Sequence, residues 1–139
     1  MHTDDDDDCL RLLTPADHAI VRSRGDGRLF VTDRGQWWYL ATADLRDLAS
    51  PVAAVNLEMY VSGGSVGISI VGDDETAIER EVVVGAGQYR KVRIATIDGV
   101  APSRLIIRST DSREHPAVVH VTSLRMEYDH GLGEEVNRR

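Results

Sequence analysis

Apolar and polar residues alternate along most of this chain with a period of two. Residues 52–61 show it most clearly, because their odd positions from residue 55 onward form an apolar row: Val55, Leu57, Met59 and Val61. Successive side chains of a β-strand point to opposite sides of the sheet. A strand here therefore buries this row and directs Asn56, Glu58 and Tyr60 outward.

Eight further segments are also rich in Val, Ile, Thr and aromatic residues, which favour strands. Together the nine predicted strands are residues 19–23, 28–32, 37–43, 52–61, 65–71, 79–84, 89–96, 104–109 and 117–128. Turns rich in Gly and Asp separate them, and a short helix over residues 42–48 is the one competing element. Short strands with frequent turns predict an all-β fold, an antiparallel two-sheet β-sandwich.

The last strand changes phase part-way along its length. Val119 and Val121 are apolar on one parity, and Leu124 and Met126 are apolar on the other. A one-residue shift in register exchanges the two faces of a strand, so a β-bulge near residues 122–123 is predicted to keep both halves facing the core. It would leave His120 and Arg125 on the same outer face.

The charge is concentrated at one end of the chain. The formal net charge is −7, and the five aspartates at positions 4–8 account for all but −2 of it. Such a run predicts a disordered acidic tail, here residues 1–10, before a sandwich domain over 11–130 and a flexible tail over 131–139. The absence of a basic face and of a high isoelectric point argues against a nucleic-acid partner.

Several features that the sequence lacks bear on the compartment of the protein and on its cofactors. Cys9 is the only cysteine, which excludes an intrachain disulfide and a cysteine metal cluster. No apolar run reaches the roughly 18 to 20 residues of a membrane span, and the acidic start is unlike a secretion signal, so no membrane partner and a cytoplasmic location are expected. No cofactor is predicted, although Asp73, Asp74 and Asp111 lie in turns that could hold a structural Ca²⁺.

Catalytic motifs are weak. The histidines form no closely spaced pair, and the Gly-x-Ser-x-Gly match at residues 63–67 lies between two strands, where it is interpreted as a hairpin loop rather than a nucleophile turn. Glu58 and Glu127 would be paired carboxylates only if their strands were neighbours at a cleft. The sequence therefore predicts a protein that is not an enzyme.

The polar outer faces carry the candidate binding residues, which mix amide, carboxylate, guanidinium and ring groups: Asn56, Glu58, Tyr60, Arg93, Arg108, His120 and Arg125. Such groups donate and accept hydrogen bonds to hydroxyl-rich ligands, although an ordinary solvated sheet face has a similar composition. Among the adjacent aromatic residues, Trp38 shares its parity with Leu40 and is expected to be buried. Trp37 points the other way and could stack on a sugar ring or fill an interface.

Five strand patterns in order resemble the galactose-binding-like, jelly-roll carbohydrate-binding modules: residues 55–61, 64–70, 79–84, 104–109 and 121–127. They are similar, more narrowly, to the accessory β-sandwich domains found beside bacterial methyltransferase and glycosyltransferase domains. The resemblance implies a jelly roll of about eight strands with an auxiliary, non-catalytic role. In carbohydrate-binding relatives the ligand lies on exposed aromatic residues or on the concave sheet, and many relatives hold a structural Ca²⁺.

The combined expectation is a non-catalytic accessory module that recognises a carbohydrate or a glycosylated small molecule and works with a linked or separate enzyme domain. Its predicted ligand-binding residues are Trp37, Asn56, Glu58, Tyr60, Arg108 and His120. The alternative is a protein-interaction or homo-oligomerisation domain, such as a homodimer, in which the aromatic residues and arginines form an interface.

Overall fold

The structure is a computed structural model that describes residues 9–16, 19–24, 27–32, 38–46, 48, 51–72, 81–96, 101–110 and 116–128. Within these residues a 3-10 helix, Leu10–Leu12, precedes ten strands. The strands are β1 (Thr14–Pro15), β2 (Ile20–Arg24), β3 (Gly27–Thr32), β4 (Tyr39–Asp44), β5 (Val52–Gly63), β6 (Ser65–Gly72), β7 (Val82–Gly85), β8 (Tyr89–Ala95), β9 (Pro102–Ser109) and β10 (Ala117–Tyr128).

The strands form two five-stranded sheets in which neighbouring strands are antiparallel. The first sheet has the order β1-β4-β9-β6-β7, and the second has the order β2-β3-β10-β5-β8. The chain crosses repeatedly between the sheets, so strands that are consecutive in sequence often lie in opposite layers. The predicted antiparallel β-sandwich is confirmed.

The core lies between the two sheets and is built from the predicted apolar rows. Each sheet contributes fully buried side chains from its central strands: Val55, Leu57, Met59, Val119, Val121 and Leu124 from the second sheet, and Ile68, Ile70, Leu105 and Ile107 from the first. Burial of one such side chain contributes about 1.5–3 kcal/mol, so these rows hold the two layers together.

The predicted β-bulge is present in β10. Val121 pairs with Met59 and Ser123 pairs with Glu58, so Thr122 is the additional residue on the β10 side. The Thr122 hydroxyl donates a hydrogen bond of 3.3 Å to the Glu58 carbonyl oxygen, which ties the bulge to β5. Because of this extra residue, Val121 and Leu124 both reach the core although their sequence parities differ.

The N-terminal segment packs onto the sandwich from residue 9 onward. Cys9 and Leu10, which the sequence grouped with the acidic tail, are both buried, and the Cys9 N–H donates to the Leu124 carbonyl oxygen at 2.8 Å. The Arg28 guanidinium donates to the carbonyl oxygens of Leu10 and Leu13, at 3.3 and 2.6 Å. It also lies 5.2 Å from the centre of the Phe30 ring. The acidic run and the C-terminal tail lie outside the described residues.

The helix that competed with the predicted strand over residues 42–48 is not formed in the described part of that segment, residues 42–46 and 48. Strand β4 continues to Asp44, and Leu45 is then buried while its N–H donates to the Ser103 carbonyl oxygen at 2.8 Å. Ala41 and Ala43 pair with Ile107 and Leu105 of β9 and share their burial. Pairing with a neighbouring strand thus overrides the local helical pattern.

The expected burial of Trp38 is also wrong, since its exposed fraction is 45%. An irregularity in β4 places the extra residue between Tyr39 and Ala41, so that Leu40 and Ala41 are both buried. Trp38 lies just before the first residue of β4, so the alternation along that strand did not predict its burial. Trp37 lies outside the described residues.

The Gly-x-Ser-x-Gly segment is not a hairpin loop, because β5 and β6 belong to different sheets. Gly64 instead forms a tight corner at which the chain passes from one layer to the other. Its φ is +66°, a left-handed conformation that glycine adopts without strain. A Cβ at this position would lie 3.0 Å from the Pro116 carbonyl oxygen and 3.1 Å from the Ala117 Cα.

Substitution Gly64→Ala is therefore expected to lower the free energy of unfolding by about 1–2 kcal/mol, the cost of a left-handed conformation for a residue with a Cβ. Urea denaturation followed by circular dichroism measures the change. Gly85→Ala is the matched control, because a Cβ at Gly85 meets no atom within 4 Å. Equal losses in the two variants would contradict the account of the corner.

Candidate functional site

The outer face of the second sheet brings together residues from three neighbouring strands, β8, β5 and β10. The strand register aligns them in three rows across the sheet: Tyr89, Tyr60 and His120; Lys91, Glu58 and Ser123; and Arg93, Asn56 and Arg125. Neighbouring strands lie about 4.8 Å apart, so each row is a continuous band of side chains. The first of these is called the aromatic row below.

The aromatic row presents two tyrosines to solvent. Tyr60 and Tyr89 are directly opposed partners on β5 and β8, with exposed fractions of 42% and 53%. The Tyr89 hydroxyl donates a hydrogen bond of 2.5 Å to the Glu58 carboxylate. This bond raises the pKa of Tyr89, because the carboxylate stabilises the protonated phenol. The ring of Tyr89 is therefore held in place beside that of Tyr60.

Next to the aromatic row lies an open groove of about 330 Å³, the polar groove. Its side chains come from the other two rows: Asn56, Glu58, Lys91, Arg93, Ser123 and Arg125. The groove thus offers amide, carboxylate, hydroxyl, ammonium and guanidinium groups within one small surface. These groups can donate and accept hydrogen bonds in several directions at once.

One end of the polar groove is fixed by a network around Glu127. Arg93 makes a bidentate ion pair with the Glu127 carboxylate, with N···O distances of 2.8 and 2.9 Å. The Asn56 amide donates to the same carboxylate at 2.7 Å. The hydrogen bonds from Arg93 and Asn56 lower the pKa of Glu127 to about 2, and Glu127 in turn raises the pKa of Arg93.

The structure brings together four of the six predicted binding residues. Asn56, Glu58, Tyr60 and His120 all lie on β5 or β10, with their side chains on the outer face of the second sheet. Trp37 lies outside the described residues. The other predicted residue, Arg108, is on a different surface.

Arg108 does not belong to this face, because β9 pairs with β4 and β6 in the first sheet. Its guanidinium binds the Glu81 carboxylate at 2.7 and 3.2 Å, and this pairing raises the pKa of Arg108. The Glu81 carboxylate lies over Gly67, where a Cβ would collide with it. Arg108 therefore takes part in an ion pair of the first sheet, and the sequence pattern could not show this because both sheets alternate alike.

Three residues of the site were absent both from the six predicted binding residues and from the wider set of outer-face candidates: Tyr89, Lys91 and Ser123. A signal for two of them was present, because Tyr89, Lys91 and Arg93 alternate along one strand and share an outward parity. The missing information was the pairing of β8 with β5, which alone places Tyr89 beside Tyr60. To predict that Ser123 belongs to the site, the position of the bulge would have to be known to within one residue.

The two glutamates that the sequence offered as a carboxylate pair, Glu58 and Glu127, are well separated along their paired strands. Glu127 lies opposite Ala54, four residues along β5 from Glu58, which corresponds to about 13 Å of strand. Among these residues no three His, Cys, Asp or Glu side chains could hold a metal ion together, and no helix is long and apolar enough to cross a membrane. The turn residues Asp73, Asp74 and Asp111 lie outside the described part.

No family model and no curated protein matches this chain. Solved structures do match it in fold. A family 29 carbohydrate-binding module mutant complexed with cellulohexaose has a TM-score of 0.54 and 15% identity, over 77% of this chain and 73% of that chain. Another structure of a family 29 module has a TM-score of 0.54 and 12% identity, over 78% and 73%.

An exo-β-agarase has a TM-score of 0.57 and 7% identity, over 88% of this chain and 24% of that chain. This chain therefore corresponds to a minor part of the agarase. At these identities the likeness shows the fold alone, a two-sheet β-sandwich.

Substitution Glu127→Gln is expected to make stability less dependent on pH under acidic conditions. Because the pKa of Glu127 falls from 4.5 to about 2 in the folded state, its stabilising contribution is present above about pH 4.5 and is lost as the pH falls towards 2. The variant should unfold at a lower temperature than the wild type at pH 7, and this gap should close near pH 2. Thermal unfolding across this range measures it.

Glu58→Gln is the control, since the Glu58 carboxylate accepts its hydrogen bond from the neutral Tyr89 hydroxyl rather than from a guanidinium. Its difference from the wild type should be smaller at pH 7. A gap for Glu127→Gln that is equally large at pH 2 and pH 7 would contradict the proposed role of the ion pair.

Proposed function

We propose that this chain is a non-catalytic carbohydrate-binding module and that the saccharide lies on the outer face of the second sheet. The observation that carries the proposal is the pair of exposed tyrosines, Tyr60 and Tyr89, side by side at the edge of the polar groove. An aromatic platform next to a cluster of hydrogen-bonding groups matches both halves of a sugar ring.

A pyranose ring has an apolar face of C–H groups and a rim of hydroxyls. The face can stack on the phenol rings, which provide large apolar area with few rotatable bonds. The rim can then exchange hydrogen bonds with the groove, where Asn56 and Glu58 offer acceptor oxygens and Ser123 offers a hydroxyl. Glu58 has a double role, because it also holds the Tyr89 hydroxyl.

Rigidity supports the same function. The groove residues project from paired strands rather than from loops, and the bonds from Arg93 and Asn56 to Glu127 fix two of them before any ligand arrives. A ligand site that is already ordered loses less conformational entropy on binding. Weak sugar–protein contacts gain most from such preorganisation.

The fold likeness supports the proposal independently of the site. Among the similar structures are modules that are described as carbohydrate-binding, one of them complexed with cellulohexaose. The similarity to a minor part of an exo-β-agarase supports an accessory role next to an enzyme domain, linked or separate. We further propose that this enzyme is a methyltransferase or a glycosyltransferase and that the protein is cytoplasmic.

Self-association is the second candidate, and exposed apolar residues of the first sheet favour it. Val83 lies on β7 and Trp38 directly precedes β4, both strands of the first sheet, and their exposed fractions are 54% and 45%. Exposed aromatic residues are enriched at protein interfaces. Under this reading, light scattering would show a dimer that Trp38→Ala dissociates, and saccharides would bind to neither form.

Saccharide binding should depend on the aromatic row. Tyr60→Ala and Tyr89→Ala are each expected to weaken binding by tenfold or more, because truncation of a central aromatic side chain commonly costs about 2 kcal/mol. Affinity electrophoresis against a panel of neutral and anionic soluble polysaccharides, which includes β-glucans, mannans and galactans, identifies the ligand, and calorimetry then measures its affinity. Tyr89→Phe should lose less, because it keeps the ring and removes only the bond to Glu58.

Trp38→Ala is the matched control, since it removes an exposed aromatic side chain from the first sheet. It should leave the affinity unchanged. Folding of each variant is checked by its urea denaturation midpoint. Failure of the folded wild-type protein to bind any member of the panel, neutral or anionic, would overturn the proposed function.

A further inference from the structure

The polar groove carries a local charge opposite to that of the whole chain. Lys91, Arg93 and Arg125 line it together with a single carboxylate, that of Glu58. The formal net charge of the chain is −7. Three cations concentrated in one groove of an acidic protein give that groove a selective attraction for negative charge.

The three cations are not equivalent. Arg93 is neutralised by its bidentate pair with Glu127. Within the described residues, Lys91 and Arg125 make no ion pair, and both side chains are exposed. Lys91 lies opposite Glu58, but the described contact of that carboxylate is with the Tyr89 hydroxyl. The groove therefore keeps two cations whose charge is available to a ligand.

Their placement suits a ligand that lies across the sheet. Lys91 is on β8 and Arg125 is on β10, on either side of β5, which corresponds to about 10 Å between their strands. Asn56 and Glu58 of β5 form the floor between them. A single sugar ring fits within this width, and a ring substituent can reach the cation on either side.

We infer that the polar groove binds an anionic saccharide, in which Lys91 and Arg125 contact carboxylate or sulfate groups of the sugar units that follow the one stacked on Tyr60 and Tyr89. The inference rests on the proposed function and specifies its substrate class. An oxyanion offsets the mutual repulsion of the two cations, and the planar guanidinium of Arg125 can donate two parallel hydrogen bonds to it. Neutral sugars leave both charges without a counter-charge.

The test compares each acidic polysaccharide with its own neutral form. One arm pairs polygalacturonate and alginate with their carboxyl-reduced products, and a second arm pairs sulfated galactan with the desulfated polymer. Calorimetry at low salt should show the anionic member of at least one pair binding at least tenfold more tightly than its neutral counterpart. The preference should shrink at 1 M salt, where the screening length is about 3 Å. The arm that shows the preference identifies the oxyanion.

The double variant Lys91→Gln/Arg125→Gln should abolish this preference, so that it binds the anionic and the neutral member of each pair with equal affinity. The matched control is Arg90→Gln, which also removes a charge from β8. Arg90 lies opposite the core residue Met59, on the other parity from Lys91. This control should keep the preference.

Where the protein binds these pairs, two results would overturn the inference and leave the proposed function intact. One is equal affinity of the wild-type protein for the anionic and neutral members of every pair. The other is a preference for the anionic member that does not depend on the two cations. Such a preference would survive in the double variant, or Arg90→Gln would remove it equally, which would show that it arises from the overall charge of the chain. Absence of binding to these pairs, with binding to a neutral β-glucan or mannan retained, would overturn the inference alone, and absence of binding to every polysaccharide of both tests would overturn both proposals.

Discussion

The structure depends on the pairing of β10 with β5 at the centre of the second sheet, and on the extra residue, Thr122, within that pair. A regular strand would place Val121 and Leu124 on opposite sides of the sheet. The bulge brings both into the core, so one long strand can cover the opposing sheet along its whole length. The same shift determines which residues point outward, because it pairs Ser123 with Glu58 and Arg125 with Asn56. The bulge at Thr122 therefore determines both the buried and the outward-facing residues in the middle of this pair.

The site gathers residues that are distant in sequence because β5 lies between strands that follow it much later. Tyr60 has Tyr89 on one side and His120 on the other. The cations of this surface differ in their pairing. Glu127 binds Arg93 and Asn56, while Lys91 and Arg125 remain available to a ligand. The result is a rigid surface with an apolar band, a hydrogen-bonding floor and a local positive charge.

Sequence reasoning succeeded where one strand carried the whole signal. The alternation in β5 predicted its buried row, and the phase change in β10 predicted the bulge, since both follow from the two faces of a pleated strand. It failed where the answer depended on a neighbour. Arg108 alternates like the residues of β5 but belongs to the other sheet, and Tyr89 was missed because only the β5–β8 pairing reveals its position. The segment at Gly64 resembled a hairpin because its turn residues are the same as those of a corner between sheets.

The prediction that Trp38 is buried failed because this residue precedes β4, and because the irregularity at Leu40 interrupts the alternation from which its burial was inferred. Of the two tyrosines proposed to stack on the sugar, the sequence therefore predicted Tyr60 as a binding residue but not Tyr89. An NMR titration of the labelled protein with the best-binding oligosaccharide tests the account most directly. If the saccharide lies on the outer face of the second sheet, backbone amide shifts should change mainly along β8, β5 and β10, around Tyr89, Tyr60 and Ser123. Changes concentrated on the first sheet near Trp38 and Val83 would contradict it.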